Sequence, residues 1–336
     1  MVERIKLMNK PRSTAKRPVS VHDPNFLASG SVLLDLVLGG GWGMKRIANL
    51  VGDRSSGKTL LAIEALANFA QRFDPRWTRY GESEAALETG FAHSLGMPTD
   101  TQIPDEALRT VEEWDADIRT FMKTKPKNEP GLYILDSLDA LSDEAEMKRD
   151  MEDETYGGNK AKKLSEMFRK IVRELEQNNV MLMVISQLRD NIGARFGEKY
   201  KRSGGKALDF YCSQIVWLAE LGKIQQEVLG VKRPTGIELL ARTKKNKVGL
   251  PFRQTELTLT FGYGIDDETS MLNWLRKNKA TDLLETPHLT INKQLKDARK
   301  RRDIADIKDI HTELKRATMQ RWEEIEAALR PTMSKY

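Results

Sequence analysis

The pattern of hydrophobic and polar positions between residues 27 and 265 alternates between two kinds of segment. Short apolar runs are typical of buried strands, and longer segments with apolar residues every three to four positions are typical of helices. The predicted strands are 46–51, 77–81, 131–136, 180–186, 214–219, 236–243 and 255–261, and the predicted helices are 31–38, 57–72, 85–95, 105–122, 159–178 and 204–210. This alternation predicts an α/β fold with a mostly parallel central sheet and helices on both faces. The last strands have no long helices between them, which predicts an antiparallel extension of that sheet.

The two ends of the chain differ from this alternating part. Residues 1–26 are basic and interrupted by prolines, so they predict an extended N-terminal arm. The alternating residues 4–8 fit either a strand that pairs with another subunit or a disordered tail. Residues 266–336 are highly charged, with apolar residues at helical spacing, and predict a small helical region. Its basic cluster at 296–302 fits either a contact with duplex DNA or a solvated helix face.

A glycine-rich turn joins the strand-like run at 46–51 to the predicted helix at 57–72. The turn fits G-x-x-x-x-G-K-[ST], in which backbone N–H groups surround a phosphate at a helix N-terminus. Lys58 would supply a positive charge for the phosphates, and the hydroxyl of Thr59 would bind Mg²⁺. The eight residues of this loop are Gly52, Asp53, Arg54, Ser55, Ser56, Gly57, Lys58 and Thr59. The flanking strand and helix indicate a nucleotide-binding loop rather than a chance glycine-rich turn.

Polar side chains lie at the ends of three predicted strands. Asp136 ends an apolar strand, where a carboxylate beside a phosphate loop helps to organise Mg²⁺. Glu82 and Glu84 follow another strand, and either could orient or deprotonate an attacking water. The alternative role for these acids is to cap the next helix, and the residue types leave the choice open. Gln187 follows a third strand, where an amide can contact a γ-phosphate and report its loss.

Two later segments combine basic residues with glycine or proline. Residues 188–205, directly after Gln187, are rich in glycine and basic residues and carry isolated apolar and aromatic side chains. Basic groups neutralise phosphates and aromatic rings stack on bases, so nucleic-acid contact is favoured over a solvent loop. Residues 244–253 form a second basic run. It fits either a solvated face or a set of cations that reaches a phosphate in a neighbouring subunit.

Composition narrows the class of protein. The 336 residues carry a formal net charge of +6 and a pI near 9.1, which favours a polyanionic partner such as nucleic acid. No apolar run approaches the roughly 18 residues of a membrane span, so no membrane association is expected. The single cysteine, Cys212, excludes an internal disulfide and fits a reducing cytoplasm. With one cysteine and four scattered histidines, a structural zinc site is not expected.

These motifs together resemble the RecA recombinases, and most closely the bacterial and phage branch of that family. The resemblance covers about 27–265. The matching segments are 28–39, the loop at 52–59, 83–87, 135–137, 186–189, 192–193, 196–197, 204–211, 245–252 and 261–265. The resemblance implies a P-loop NTPase core of the RecA type. It also implies ATP and Mg²⁺ as cofactors and a helical filament on single-stranded DNA that pairs it with duplex DNA and exchanges strands.

The resemblance also implies roles for individual residues. It favours Glu84 over Glu82 as the group that activates water, with Lys58 and Gln187 also catalytic, Gln187 coupling the γ-phosphate to DNA. Nucleotide contacts are implied at the phosphate loop, Asp136, Glu88, Phe91, Lys245, Lys247 and Gly262, with Lys245 and Lys247 reaching ATP across the filament interface. DNA contacts are implied at Tyr156, Lys162, Lys163, Arg169, Arg189, Ile192, Arg195, Phe196, Gly204 and Gly205.

The chain departs from the family pattern at four places, one of which is the second DNA loop, with Asp190, Asn191 and Arg195 before Phe196. The N-terminal arm is short and rich in proline, and the first DNA loop is acidic over 150–154. The C-terminal part differs from the usual family domain. These departures leave room for a paralogue that binds DNA or a recombinase as a mediator or regulator without exchanging strands. A hexameric helicase on the same fold is a weaker third alternative.

Overall fold

The computed structural model describes residues 23–147, 159–190, 200–202 and 205–330. Its strands are β1 (Phe26–Leu27), β2 (Trp42–Gly43), β3 (Ile47–Gly52), β4 (Thr78–Glu82), β5 (Gly131–Asp136), β6 (Val180–Asp190), β7 (Tyr200–Arg202), β8 (Gln214–Val228), β9 (Val231–Asn246), β10 (Gln254–Thr260) and β11 (Gly264–Ile265). Its α-helices are α1 (Val32–Leu38), α2 (Lys58–Ala70), α3 (Thr89–Ser94), α4 (Val111–Thr124), α5 (Glu144–Met147), α6 (Asn159–Gln177), α7 (Gly205–Tyr211), α8 (Asp267–Lys277), α9 (His288–Arg301) and α10 (Ile304–Ala328). Short 3₁₀ helices cover Pro75–Trp77 and Thr281–Leu283.

One large sheet organises the molecule. Its strands follow the order β11-β10-β9-β8-β3-β6-β5-β4, and β7 pairs with the end of β6. The strands β8, β3, β6, β5 and β4 run parallel to one another, whereas β9, β10 and β11 continue the sheet beyond β8 in antiparallel pairs. The predicted α/β fold and its antiparallel extension are therefore confirmed. The phosphate loop follows β3, which lies in the middle of the sheet between β8 and β6.

The central strands are apolar along most of their length because helices cover both faces of the sheet. On β5, Leu132 and Ile134 belong to one buried cluster, and the alternate residues Tyr133 and Leu135 belong to the other. Alternation with a period of two places these pairs on opposite faces. The helices α1, α2, α8, α9 and α10 contribute to the first cluster, and α4, α6 and α7 to the second. A continuous apolar run is what a strand buried on both faces requires.

Two predicted helices are shorter than the periodicity indicated. The prediction of a helix at 85–95 was too long, because α3 begins only after Glu88, whose carboxylate accepts the N–H groups of Gly90 and Phe91 as an N-cap. The prediction of a helix from 105 was also wrong at its start. The hydroxyl of Thr110 accepts the N–H of Glu113 at 3.1 Å and starts α4 there. In both cases a local cap overrides the longer apolar pattern.

The strands β8 and β9 are much longer than predicted. They form a hairpin of 15 and 16 residues joined at Leu229 and Gly230, both with positive φ (53° and 76°). From Glu220 onwards most side chains of the hairpin are exposed. Its outer half has no buried face and therefore no alternating apolar pattern, which is why periodicity found only its inner half.

The C-terminal helices share the apolar cluster of the sheet. Leu275 of α8, Leu295 of α9 and Leu314 of α10 are buried in the same cluster as the core helices. The predicted helical character of this region is confirmed, and the domain boundary at 265/266 stays a prediction. Within the described parts of the chain, none of the helices combines the length and apolar character that crossing a membrane requires.

A charged cluster joins α8 to the core and to the last two helices. Arg299 donates to Asp266 at 2.6 Å and to Glu268 at 3.0 Å, and His311 lies 3.0 Å from Glu268. Asp267 accepts the N–H of Val32 at the start of α1, at 3.1 Å. The predicted basic cluster is therefore used in part as a structural contact through Arg299, while Lys296 and Lys300 are exposed. Both interpretations of the remaining basic residues stay open.

The buried carboxyl of Asp267 is expected to make the folded chain less stable as the pH rises. Burial raises the pKa of Asp267 to about 6 from 3.8, and hydrogen bonds from the N-terminus of α1 oppose that rise. Between these two pH values the folded chain holds a proton that the unfolded chain has lost, so stability falls as pH rises from about 4 to 6 and then levels off. Asp267→Asn should therefore raise the free energy of unfolding at pH 8 by about 1–3 kcal/mol and change it little at pH 4. Urea unfolding at both pH values measures this.

Glu268 provides a matched control of opposite sign. Burial alone would raise its pKa, but the hydrogen bond with His311 and the charges of His311 and Arg299 lower it overall. A carboxyl whose pKa is lower in the folded chain than in the unfolded chain stabilises the fold at pH values above its unfolded pKa. Glu268→Gln should therefore destabilise the chain at pH 8. Equal effects of the two substitutions at pH 8 would contradict the assignment.

Candidate functional site

The phosphate loop is a tight turn between β3 and α2. A Cβ at Gly52 would lie 2.4 Å from Oγ of Ser56 and 2.8 Å from the carbonyl oxygen of Leu218, so only glycine fits there. Gly57 has φ +79° and is the N-cap of α2, and no side chain caps this helix end. The first N–H groups of α2 are therefore available for an anion, and the positive end of the helix dipole favours one.

Lys58 and Thr59 begin α2 and point towards the end of β5. Lys58 is buried, and its ammonium donates to the carbonyl oxygen of Asp53 at 2.5 Å. Burial lowers the pKa of Lys58, while the nearby carboxylates of Asp136 and Glu84 oppose this effect. The hydroxyl of Thr59 donates to Oδ2 of Asp136 at 2.7 Å. A buried cation and an aligned hydroxyl thus stand at the helix end that can hold a phosphate.

Asp136 has the chemistry of a Mg²⁺ partner. Burial raises the pKa of its carboxyl, against hydrogen bonds from Tyr80 and Thr59 that lower it. A cation next to this carboxylate would offset the cost of burying the charge. Among the described residues there is no group of three or more His, Cys, Asp or Glu side chains that could enclose a metal. Proteins usually hold Mg²⁺ through one or two carboxylates together with substrate phosphates and water, and Asp136 can supply such a carboxylate.

The two candidate glutamates have different surroundings. Oε1 of Glu84 accepts the hydroxyl of Ser137 at 2.5 Å and the amide Nε2 of Gln187 at 2.8 Å. Oε1 of Glu82 instead accepts the backbone N–H groups of Glu84 at 2.9 Å and Ala86 at 3.0 Å. Glu82 therefore holds the turn after β4, and Glu84 is held by side chains from β6 and the end of β5.

A cavity of about 470 Å³ is lined at one end by residues 55–59 of the loop and by Glu82, Glu84 and Asp136. The other end is apolar, and Phe91 and Phe261 face it with about half of each side chain exposed. Glu88 and Gly262 also line it, although the carboxylate of Glu88 caps α3. A polar end beside the loop and an apolar end whose lining includes two aromatic rings suit a ligand with phosphates and a flat base. Phe261 was missed as a site residue, although its neighbour Gly262 was predicted.

Gln187 connects this cavity to a second, basic groove. The groove has a volume of about 820 Å³ and is lined by Gln187 and by residues of the loop, β8 and β9. Its walls include Arg54, Arg242 and Trp217, with the ammonium of Lys244 4.5 Å from the centre of the Trp217 ring. Trp217 and Arg242 were missed because they face the groove only after β8 and β9 pair.

The predicted intersubunit lysines lie outside the nucleotide cavity of their own chain. Lys245 is on β9, and its ammonium donates to the carbonyl oxygens of Asp209 and Phe210 at the end of α7. Lys247 directly follows β9 and is exposed. Neither residue lines the cavity around Lys58. Their contact with the nucleotide of a neighbouring subunit stays a prediction.

The structure describes about half of the predicted DNA contacts. Lys162 and Arg169 are exposed on α6, and Lys163 of the same helix pairs with Glu112. Arg189 lies on β6, two residues after Gln187, and Gly205 begins α7. Tyr156, Ile192, Arg195, Phe196 and Gly204 lie outside the described residues. The strand that carries Gln187 therefore continues directly into the predicted DNA-binding segment.

Comparison with known proteins agrees with this geometry. The family model for the RecA N-terminal domain matches residues 15–266. The chain is 32% identical over 258 residues to Protein RecA of Francisella philomiragia subsp. philomiragia, which covers 76% of this chain and 68% of that protein. A crystal structure of the RadB recombinase has a similar fold, with a TM-score of 0.52 and 20% identity over 71% of this chain and 98% of that one. The chain therefore belongs to the RecA family.

Proposed function

We propose that this protein is an ATP-dependent recombinase, a DNA-stimulated ATPase that assembles on single-stranded DNA and exchanges strands with duplex DNA in the cytoplasm. The observation that carries this proposal is the 2.8 Å bond from Nε2 of Gln187 to Oε1 of Glu84. Gln187 also lines the basic groove, and its strand leads into the predicted DNA-binding segment. Gln187 thus contacts Glu84, the proposed water-activating residue, and also lines the basic groove that we assign to nucleic acid.

Binding of ATP uses both ends of the cavity. The N–H groups of the loop and the ammonium of Lys58 would hold the phosphates, and the base would contact Phe91 and Phe261, which line the apolar end. Thr59 and Asp136 would hold Mg²⁺, which neutralises charge on the phosphate oxygens when it is bound. The ammonium of Lys58, a bound Mg²⁺ and a helix N-terminus would all lie at one end of the cavity. These positive groups favour a triphosphate over an uncharged ligand.

Hydrolysis depends on Glu84. Its carboxylate accepts the proton of the attacking water, and Ser137 and Gln187 fix its orientation by donating to the same oxygen. Any movement of Gln187 therefore changes how Glu84 is held. DNA bound along the segment after β6 can stimulate hydrolysis by this route, and loss of the γ-phosphate can loosen the DNA by the reverse route.

Filament assembly would bring Lys245 and Lys247 of one subunit to the ATP of the next. In the single chain, Lys245 caps the end of α7. A cation at the phosphates of a neighbour would make ATP stabilise the assembly and hydrolysis weaken it.

The test is ATP hydrolysis by the purified chain with and without single-stranded DNA. We expect DNA to raise the rate about tenfold or more, which is the effect expected when a catalytic base becomes correctly oriented. The same DNA at high salt serves as the control, since phosphate contacts weaken steeply with salt. Turnover that does not respond to DNA would contradict the proposal.

A mediator or regulator that binds DNA or a recombinase without strand exchange is the second candidate. The acidic residues at 150–154 favour it, because they stand where the resemblance places a DNA loop. Two measurements distinguish the candidates. Electron micrographs of the protein with ATP and single-stranded DNA show whether filaments form, and a strand-exchange assay with homologous duplex DNA shows whether strands are exchanged. Filaments that exchange strands support the recombinase, and DNA binding without filaments supports the mediator.

A further inference from the structure

The buried hydroxyl of Tyr80 bonds directly to the carboxylate at the end of β5. Tyr80 lies on β4 with 1% of its surface exposed, and its O–H donates to Oδ2 of Asp136 at 2.6 Å. The parallel register of β4 and β5 pairs Glu82 with Asp136, so Tyr80 reaches Asp136 from two residues earlier along its strand. Its ring lines the nucleotide cavity beside Thr59.

This bond and the bond from Thr59 converge on the same atom. Thr59 donates to Oδ2 of Asp136 at 2.7 Å, so two hydroxyls hold one carboxylate oxygen from two directions. A hydroxyl has one proton and two lone pairs. Because Thr59 gives its proton to Asp136, a lone pair of the Thr59 oxygen can face a cation. That orientation holds only while Oδ2 stays in place, and the buried phenol limits the rotation of the carboxylate.

We propose that Tyr80 is a positioning residue for the cation site, which orients Asp136 so that the hydroxyl of Thr59 presents a lone pair to Mg²⁺. The inference rests on the proposed function, since it assigns a role within the same ATP site. Tyr80 acts through Asp136 and Thr59 rather than by touching the reacting atoms.

The chain contains a matched control for this inference. Tyr133, on the neighbouring strand β5, is fully buried and donates to Oδ2 of Asp117 at 2.7 Å. Asp117 lies on α4 and also receives Arg79, outside the nucleotide cavity. Tyr133→Phe and Tyr80→Phe therefore remove the same group, a buried phenol oxygen that donates to a carboxylate. Only Tyr80→Phe removes it from the cation site.

The experiment measures binding of a fluorescent ATP analogue to the full chain as Mg²⁺ is titrated, and also in EDTA. For Tyr80→Phe we expect the Mg²⁺ concentration at half saturation to rise about tenfold, the usual effect of losing a partner of a metal ligand. Binding in EDTA should stay within about twofold of the original protein, since the loop and Lys58 are unchanged. Tyr133→Phe should leave both quantities unchanged. Mn²⁺ binding to the nucleotide complex, followed by electron paramagnetic resonance, gives a second readout independent of hydrolysis.

Thermal unfolding of both variants separates positioning from folding. Equal Mg²⁺ requirements for Tyr80→Phe and Tyr133→Phe, whatever their melting temperatures, would overturn the inference. An equal loss of nucleotide affinity with and without Mg²⁺ would also overturn it, because the role would then be structural. If the unsubstituted protein bound no nucleotide at all, the proposed function itself would fail, which is a different result from either of these.

Discussion

Replacing Glu84 with Gln is expected to lower the rate of DNA-stimulated ATP hydrolysis by about 10²–10⁴-fold. The amide cannot accept a proton from water, but it keeps an oxygen for Ser137 and Gln187, which both donate to Oε1 in the original protein. Binding of ATP should therefore change by less than about threefold, because the loop and Lys58 carry that binding. The expected pattern is a loss of kcat with nearly unchanged nucleotide affinity.

Glu82→Gln is the matched control for this substitution. Oε1 of Glu82 accepts two backbone N–H groups in the turn after β4, and a Gln oxygen can accept both of them. We expect its ATPase rate to stay within a few-fold of the original, since no proton transfer depends on Glu82. Steady-state hydrolysis and equilibrium binding of ATP, measured for both variants, make the comparison. A larger loss of kcat in Glu82→Gln than in Glu84→Gln would reverse the assignment of the water-activating residue.

Replacing Lys58 with Ala is expected to abolish measurable ATP turnover by weakening nucleotide binding about 100-fold or more. An ammonium about 4 Å from a phosphate charge contributes about 4 kcal/mol at an effective dielectric constant near 20. Without it the cavity keeps the carboxylates of Glu84 and Asp136, which repel a triphosphate. The loss should appear in the dissociation constant as well as in kcat, which distinguishes it from the loss in Glu84→Gln.

Stability measurements show whether the Lys58→Ala protein is folded. Burial lowers the pKa of Lys58, so the fold disfavours its charged form and should tolerate the loss of the ammonium. The melting temperature is expected to match that of Lys277→Ala, which removes an exposed lysine from α8. Tight ATP binding by a folded Lys58→Ala protein would show that another group holds the phosphates. It would also remove the basis for placing the triphosphate at this loop.

The sequence was most informative where one local interaction decides the structure. The loop at 52–59 was recognised because glycines, a lysine and a hydroxyl must occur at fixed spacing to surround a phosphate. The apolar strands β3 and β5 were found to within one residue, since burial on both faces leaves little room for polar side chains. The start of β6 was also found, but β6 continues four residues beyond the predicted end. The fold and family predicted on these grounds are confirmed, and the roles of individual site residues stay predictions.

The sequence was less informative where several segments compete or combine. Helix periodicity before Thr89 and before Val111 was overridden by the caps at Glu88 and Thr110, which only the folded backbone brings into position. The outer halves of β8 and β9 are strands because they pair with each other. Their residues carry no core-facing pattern that a single segment could display.

Sequence alone therefore indicated the central strands, the phosphate-loop motif and the family, because each of these depends on residues close together in the chain. The family resemblance already favoured Glu84 over Glu82, and the tertiary structure added the different partners of the two residues, since only Glu84 contacts Gln187, 103 positions away. The tertiary structure also placed Tyr80 against Asp136, and Trp217 beside Lys244, through strand register. Distances between side chains on different strands depend on strand order and pairing register, and the hydrophobic pattern of a single segment determines neither of these.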